Sequence, residues 1–126
     1  MYKANPYAKI KENAINTATP EELTLMLYDG ALKFANKAMI SLEKSDYMEV
    51  SNYINRTKNI IRELQMTLNM KYEISNQLKE AYEYIIFRLT EANIKKDADM
   101  LNEAIEHIRL FRDTWKQVIK ISRTEK

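Results

Sequence analysis

The chain has 126 residues, 45% apolar and 30% charged, enough for one hydrophobic core and without the composition of a disordered protein. Its single Gly and two Pro exclude turn-rich all-β architectures, and 20 basic against 18 acidic side chains, interspersed along the chain, leave no basic stripe for nucleic acid. There is no cysteine, hence no disulfide framework, no apolar run approaches the ~18 residues of a membrane helix, and the opening residues lack the apolar core of a secretory signal. A cytoplasmic protein with no membrane insertion is expected.

Residues 1–15 read as a short helical segment. Asn5 suits an N-cap and Pro6 the first helical position, with Tyr7, Ile10 and Ala14 at helical spacing. Such a short helix is marginal alone, so the segment is expected to pack on the rest of the protein, either as a cap over a groove or as a closure of one core end. Four long helices follow. The first begins at Thr19-Pro20-Glu21-Glu22, where Thr19 caps, Pro20 occupies the first position and Glu22 completes a capping box. Leu23, Leu27, Gly30, Phe34 and Ala38 then repeat at helical spacing as its expected core face, and the helix should stop near Lys44-Ser45.

Asp46 and Glu49 make a second capping box, opening a helix with one apolar stripe of Val50, Tyr53, Ile54, Thr57, Ile60, Ile61, Leu64 and Leu68. A third spans about 74–93, with Leu78, Ala81, Tyr82, Ile85, Leu89 and Ala92 inward. A fourth spans about 98–121, with Leu101, Ala104, Ile105, Ile108, Phe111, Trp115, Val118 and Ile119 inward. Connections this short make consecutive helices antiparallel neighbours. The expected fold is therefore all-α: an antiparallel four-helix bundle with the short N-terminal segment packed on it, residues 1–126 forming a single domain and 122–126 a fraying tail.

Two helices carry more apolar side chains than a bundle must bury. On the first, Leu25, Tyr28, Leu32 and Met39 fall on a stripe well round from the expected core face; on the third, Tyr84, Phe87 and Ile94 do the same. Singly, such residues are ordinary exposed apolars or the edge of a wide core face. As a set they indicate a surface for an amphipathic partner laid along the bundle, and seven Met add adaptable contact.

Catalytic and metal chemistry finds little footing. One His and no Cys do not make a zinc site, and His107 lacks the Glu three residues before it that a di-iron bundle needs. A single Gly builds no phosphate loop. The rival reading is a histidine phosphotransfer domain using His107. By resemblance that class wants a Lys three residues on and a small residue after it, where Leu110 and Phe111 stand, so a structural, partly buried His107 is expected. No catalytic residue and no cofactor are expected.

The segment Ile15-Asn16-Thr17-Ala18-Thr19-Pro20-Glu21-Glu22-Leu23, followed by Met26-Leu27-Tyr28-Asp29-Gly30-Ala31, resembles the signature of the flagellar secretion chaperone family. Asn5-Pro6-Tyr7, then Leu78-Lys79-Glu80-Ala81-Tyr82 with Tyr84, and Leu110-Phe111-Arg112-Asp113-Thr114-Trp115 are similar to other parts of that family. Lys71-Tyr72-Glu73-Ile74-Ser75 stands where many members carry glycines, which implies a stiffer, partly helical connection here. The resemblance implies a monomer or weak homodimer that binds the disordered C-terminal segment of flagellin, prevents its premature polymerisation and keeps it competent for type III export. Leu25, Tyr28 and Leu32 would contact the guest, Tyr7 and Ile10 would cap the empty groove, and an export-gate component or a regulator is a further possible partner.

Overall fold

The computed structural model describes residues 17–124, so the expected N-terminal cap with Tyr7 and Ile10 lies outside the described residues. Four helices follow in order: α1 Pro20–Glu43, α2 Tyr47–Met66, α3 Glu73–Lys95 and α4 Ala98–Thr124. Each packs on its predecessor and α4 packs on α1, which closes the ring of an all-α bundle.

The helix starts follow the sequence signals. Thr19 Oγ1 accepts the Glu22 N–H at 3.2 Å with Pro20 in the first turn, and Asp46 Oδ1 accepts the Glu49 N–H at 3.3 Å. Asp97 Oδ1 accepts from the Asp99 and Met100 N–H groups at 2.9 and 3.1 Å, opening α4. The turns depend on left-handed residues: Ser45 has φ 58° between α1 and α2, and Lys96 has φ 50° as the C-cap of α3. Between α2 and α3, Ser75 Oγ donates to the Asn69 carbonyl at 2.6 Å, and helix has already begun at Glu73, so this connection is partly helical. At the other end of the chain, α4 continues through Thr124, past the expected stop at 121; Arg123 pairs with Glu22 at 2.6 Å, which holds this last turn to the start of α1.

The core runs along the bundle axis. Val50, Ile54, Ile61 and Leu64 of α2, Ile85 and Leu89 of α3, and Leu101 and Ile108 of α4 are almost wholly buried, each contributing ~1.5–3 kcal/mol of burial. Helix α1 presents a different face from the one expected. Its buried stripe is Tyr28, Ala31, Leu32, Ala35 and Ala38, roughly 100° round from the stripe of large residues. Leu23 is exposed, whereas Leu27 and Phe34 are half-buried at the flank, Phe34 stacked on Tyr53 of α2 at 6.2 Å between ring centroids. Alanines at the centre let the neighbouring helices come close, and the large residues fill the two flanking seams. Gly30 faces one of those seams: an added Cβ would meet only the Ile60 Cδ1 methyl, at 3.4 Å. On α4, Val118 is exposed and not inward.

Candidate functional site

The seven side chains read as one contact set occupy three different environments. Tyr28 and Leu32 are 4% and 5% exposed, so the expected outward stripe on α1 is corrected: both belong to the core. The Tyr28 hydroxyl is hydrogen-bonded to the Tyr82 hydroxyl of α3 across the bundle, and Tyr82 packs against Phe111 at 5.9 Å. Burial raises both phenols above their ordinary pKa, so both stay protonated at physiological pH, one donating to the other. Met39 is half-buried and packs against the core. Leu25 is half-buried and lines a groove between α1 and α4.

The three residues on α3 remain outward. Phe87 and Ile94 are 56% and 76% exposed, on the side of the helix opposite Tyr82, Ile85, Leu89 and Ala92. Glu80, Glu83 and Glu91 share their face at helical spacing, Glu91 paired with Lys95 at 3.7 Å, so this surface has an apolar centre flanked by charged side chains. Tyr84 stands beside it, on the seam with α4. Its hydroxyl donates to Glu103 Oε1 at 2.9 Å, and its ring lies 5.5 Å from the His107 ring and 5.9 Å from the Arg88 guanidinium. Arg88 also hydrogen-bonds Glu103 and pairs with Glu91 at 3.6 Å. The Arg88 guanidinium, and after it the Tyr84 hydroxyl, hold the Glu103 carboxyl below the usual carboxylate range. This cluster fixes the Tyr84 ring in one orientation at the border of the apolar face.

His107 is half-buried, its Nδ1 within 2.9 Å of the Glu103 carbonyl oxygen. One ring nitrogen is thereby engaged with backbone and one ring face with Tyr84, the setting of a structural imidazole. Asp29, next to Gly30, pairs with Arg112 of α4 at 3.7 Å. Among the described residues no cluster of His, Asp or Glu is placed to hold a metal ion, and no helix is long and apolar enough to cross a membrane.

Further outward apolars were not singled out by periodicity. Leu110 and Ile121 are exposed on α4, as is Val118, and Met66, Met70, Tyr72 and Ile74 are exposed around the α2–α3 connection. The last four stand at the end of the bundle where α1 begins, because α1 and α3 run in the same direction. Their sequence signal is an excess of apolar residues around a helix end, where helical periodicity carries no information about which side is covered.

Fold and surface together define a class: an all-α bundle with its core filled and additional apolar side chains held on its outer faces. The model of the family described as "Flagellar protein FliS" matches residues 3–122. The chain is 43% identical over 122 residues to the flagellar secretion chaperone FliS of Bacillus subtilis, covering 97% of this chain and 92% of that one. It is 33% identical over 125 residues to the flagellar secretion chaperone FliS of Salmonella typhimurium, covering 94% and 93%, and 28% identical over 114 residues to that of Campylobacter jejuni, covering 89% of each. The chain belongs to the FliS family of flagellar secretion chaperones.

Proposed function

We propose that this protein is a cytoplasmic, non-enzymatic export chaperone that binds the disordered C-terminal segment of flagellin, prevents its premature polymerisation and keeps it competent for flagellar type III secretion. Membership of a family named for flagellar secretion supplies the class of guest. The observation that carries the binding mode is the outward pair Phe87 and Ile94, with Tyr84 oriented beside them by Glu103 and Arg88. An amphipathic guest segment that folds along α3 covers these side chains with its own apolar stripe. Each large side chain buried contributes ~1.5–3 kcal/mol, offset by the ordering of the guest chain. Leu25 and Met39, both half-buried on α1, extend the contact, whereas Tyr28 and Leu32 act through the fold.

Helix α1 begins at the end of the bundle that exposes Met66, Met70, Tyr72 and Ile74. In this reading Tyr7 and Ile10 cover apolar surface in the empty chaperone and give way to the guest, at a cost set by the difference between their contacts in the two states. The test is seeded growth of flagellin filaments followed by light scattering. Stoichiometric chain should arrest growth, and the Phe87→Glu/Ile94→Glu variant, with unchanged helicity, should not. Arrest by the variant as complete as by the parent would remove α3 from the guest site.

A further inference from the structure

The groove between the start of α1 and the end of α4 encloses about 340 Å³ and is lined by Leu25, Lys116, Ile119, Lys120 and Arg123. Its floor is apolar, with Ile119 buried and Leu25 half-buried, and its rim carries three cations. Arg123 is committed to Glu22 at 2.6 Å, whereas Lys116 and Lys120 have no ion-pair partner among the described residues. The walls are tied together: Trp115 Nε1 donates to the Glu21 carbonyl at 2.9 Å, and the Arg123–Glu22 pair closes the next turns. This is an apolar slot, open on its solvent side, with two lysines outside the ion pairs of the described residues on the α4 side of its mouth and the Glu21 carboxylate one turn before Leu25 on the α1 side. The proposed guest surface on α3 carries Glu80 and Glu83, outside the ion pairs of the described residues, beside Phe87 and Ile94, while Glu91 there is paired with Arg88 and Lys95.

We propose that the α1–α4 groove docks an acidic amphipathic helix of a partner protein, whose apolar side chains meet Leu25 and Ile119 and whose carboxylates meet Lys116 and Lys120. Charge complementarity selects this occupant. The chain's own N-terminal residues are the nearest alternative, but they carry Lys3, Lys9 and Lys11 against the single carboxylate of Glu12, and would be repelled by the rim. A second copy offering the same groove meets like charge, so a two-fold dimer through this face is also disfavoured. A free fatty acid would want a closed apolar cavity, and this slot is open. The inference concerns a groove that shares only Leu25 with the proposed flagellin contact, and it goes beyond that reading.

The test uses the full chain, ¹⁵N-labelled, and two fluorescein-tagged designed helices of about 18 residues, long enough to span about 27 Å. One has a Leu stripe flanked by Glu; the other keeps the stripe and replaces each Glu with Lys. The acidic helix should bind at least tenfold tighter by anisotropy, more weakly as salt rises, with amide shifts centred on Leu25, Lys116, Ile119 and Lys120. Lys116→Glu/Lys120→Glu changes only exposed side chains and should keep the fold. It should weaken the acidic helix at least tenfold and reverse the preference, while binding of the flagellin C-terminal segment is retained. Equal affinity for the two helices, no saturable binding of the acidic one, or shifts on α3 would overturn the proposal. So would equal loss of flagellin binding in the same variant, which would make the groove part of the guest site. A concentration-dependent dimer in sedimentation that this variant dissolves would give the groove to the acidic α3 face of a second copy.

Discussion

Replacing Tyr28 with phenylalanine removes one hydroxyl and leaves its partner stranded. Tyr28 and Tyr82 are 4% and 3% exposed, and their hydroxyls bond each other across the bundle between α1 and α3. In Tyr28→Phe the Tyr82 hydroxyl stays buried, and an unsatisfied buried polar group costs ~1–3 kcal/mol. An unfolding entropy of ~2.1 cal/mol/K per residue over 126 residues gives ~0.26 kcal/mol/K, so Tm should fall by ~4–11 °C. Tyr82→Phe should cost a similar amount. The double variant removes both polar groups at once and should lie within ~1 kcal/mol of the parent, so the cycle should show a coupling of ~1 kcal/mol or more. The pair also sets an alkaline limit. Both phenols are raised in the folded state by burial, whereas in the unfolded chain they ionise near ~10. Above that pH the unfolded state binds fewer protons than the folded one, so stability present below ~10 is lost as pH rises. Urea titrations of the four proteins at pH 7 and pH 10.5 measure both effects. Single-variant costs that add in the double, or a double variant that keeps the parent's alkaline loss, would refute the pairing argument.

Gly30→Ala should stabilise the protein by up to ~1 kcal/mol, because Ala is the better helix former and its Cβ meets only the end of the Ile60 side chain at 3.4 Å; a lower Tm would mean that the α1–α2 seam cannot yield. The Glu103 carboxyl should titrate below the usual carboxylate range in carbon-detected NMR, and Arg88→Gln should move it back up. Because this folded pKa is depressed, its stabilising effect is present above the unfolded carboxylate range and is lost as pH falls through the folded value. A Glu103 titration unmoved by Arg88→Gln would assign the shift to Tyr84 alone.

The parts of the fold written in local chemistry were legible in the sequence. Thr19-Pro20 and Asp46 cap their helices through bonds to residues three positions on, so a short window contains the whole signal. The stripe of α2 was legible because large branched residues mark its buried face, as Ile54, Ile61 and Leu64 do. Helix α1 was misread because Ala31, Ala35 and Ala38 hold its centre, and small side chains weigh little beside Leu23, Leu27 and Phe34 in a periodicity argument. Tyr28 carried no local mark of its destination, since its partner Tyr82 lies 54 positions away. On α3 the outward position of Phe87 and Ile94 was readable, because four core residues define the opposite side. The cationic groove was not, because Leu25 and Lys116 meet only after α4 folds back on α1.

The central claim, that this bundle holds the C-terminal segment of flagellin, is tested most directly by calorimetric titration of the chain with that segment at several temperatures, with circular dichroism of the mixture. One-to-one saturable binding, a negative heat-capacity change and a gain of helicity beyond the sum of the two components are the predicted result. No heat and no added helicity, with the bundle's own unfolding transition intact, would contradict it.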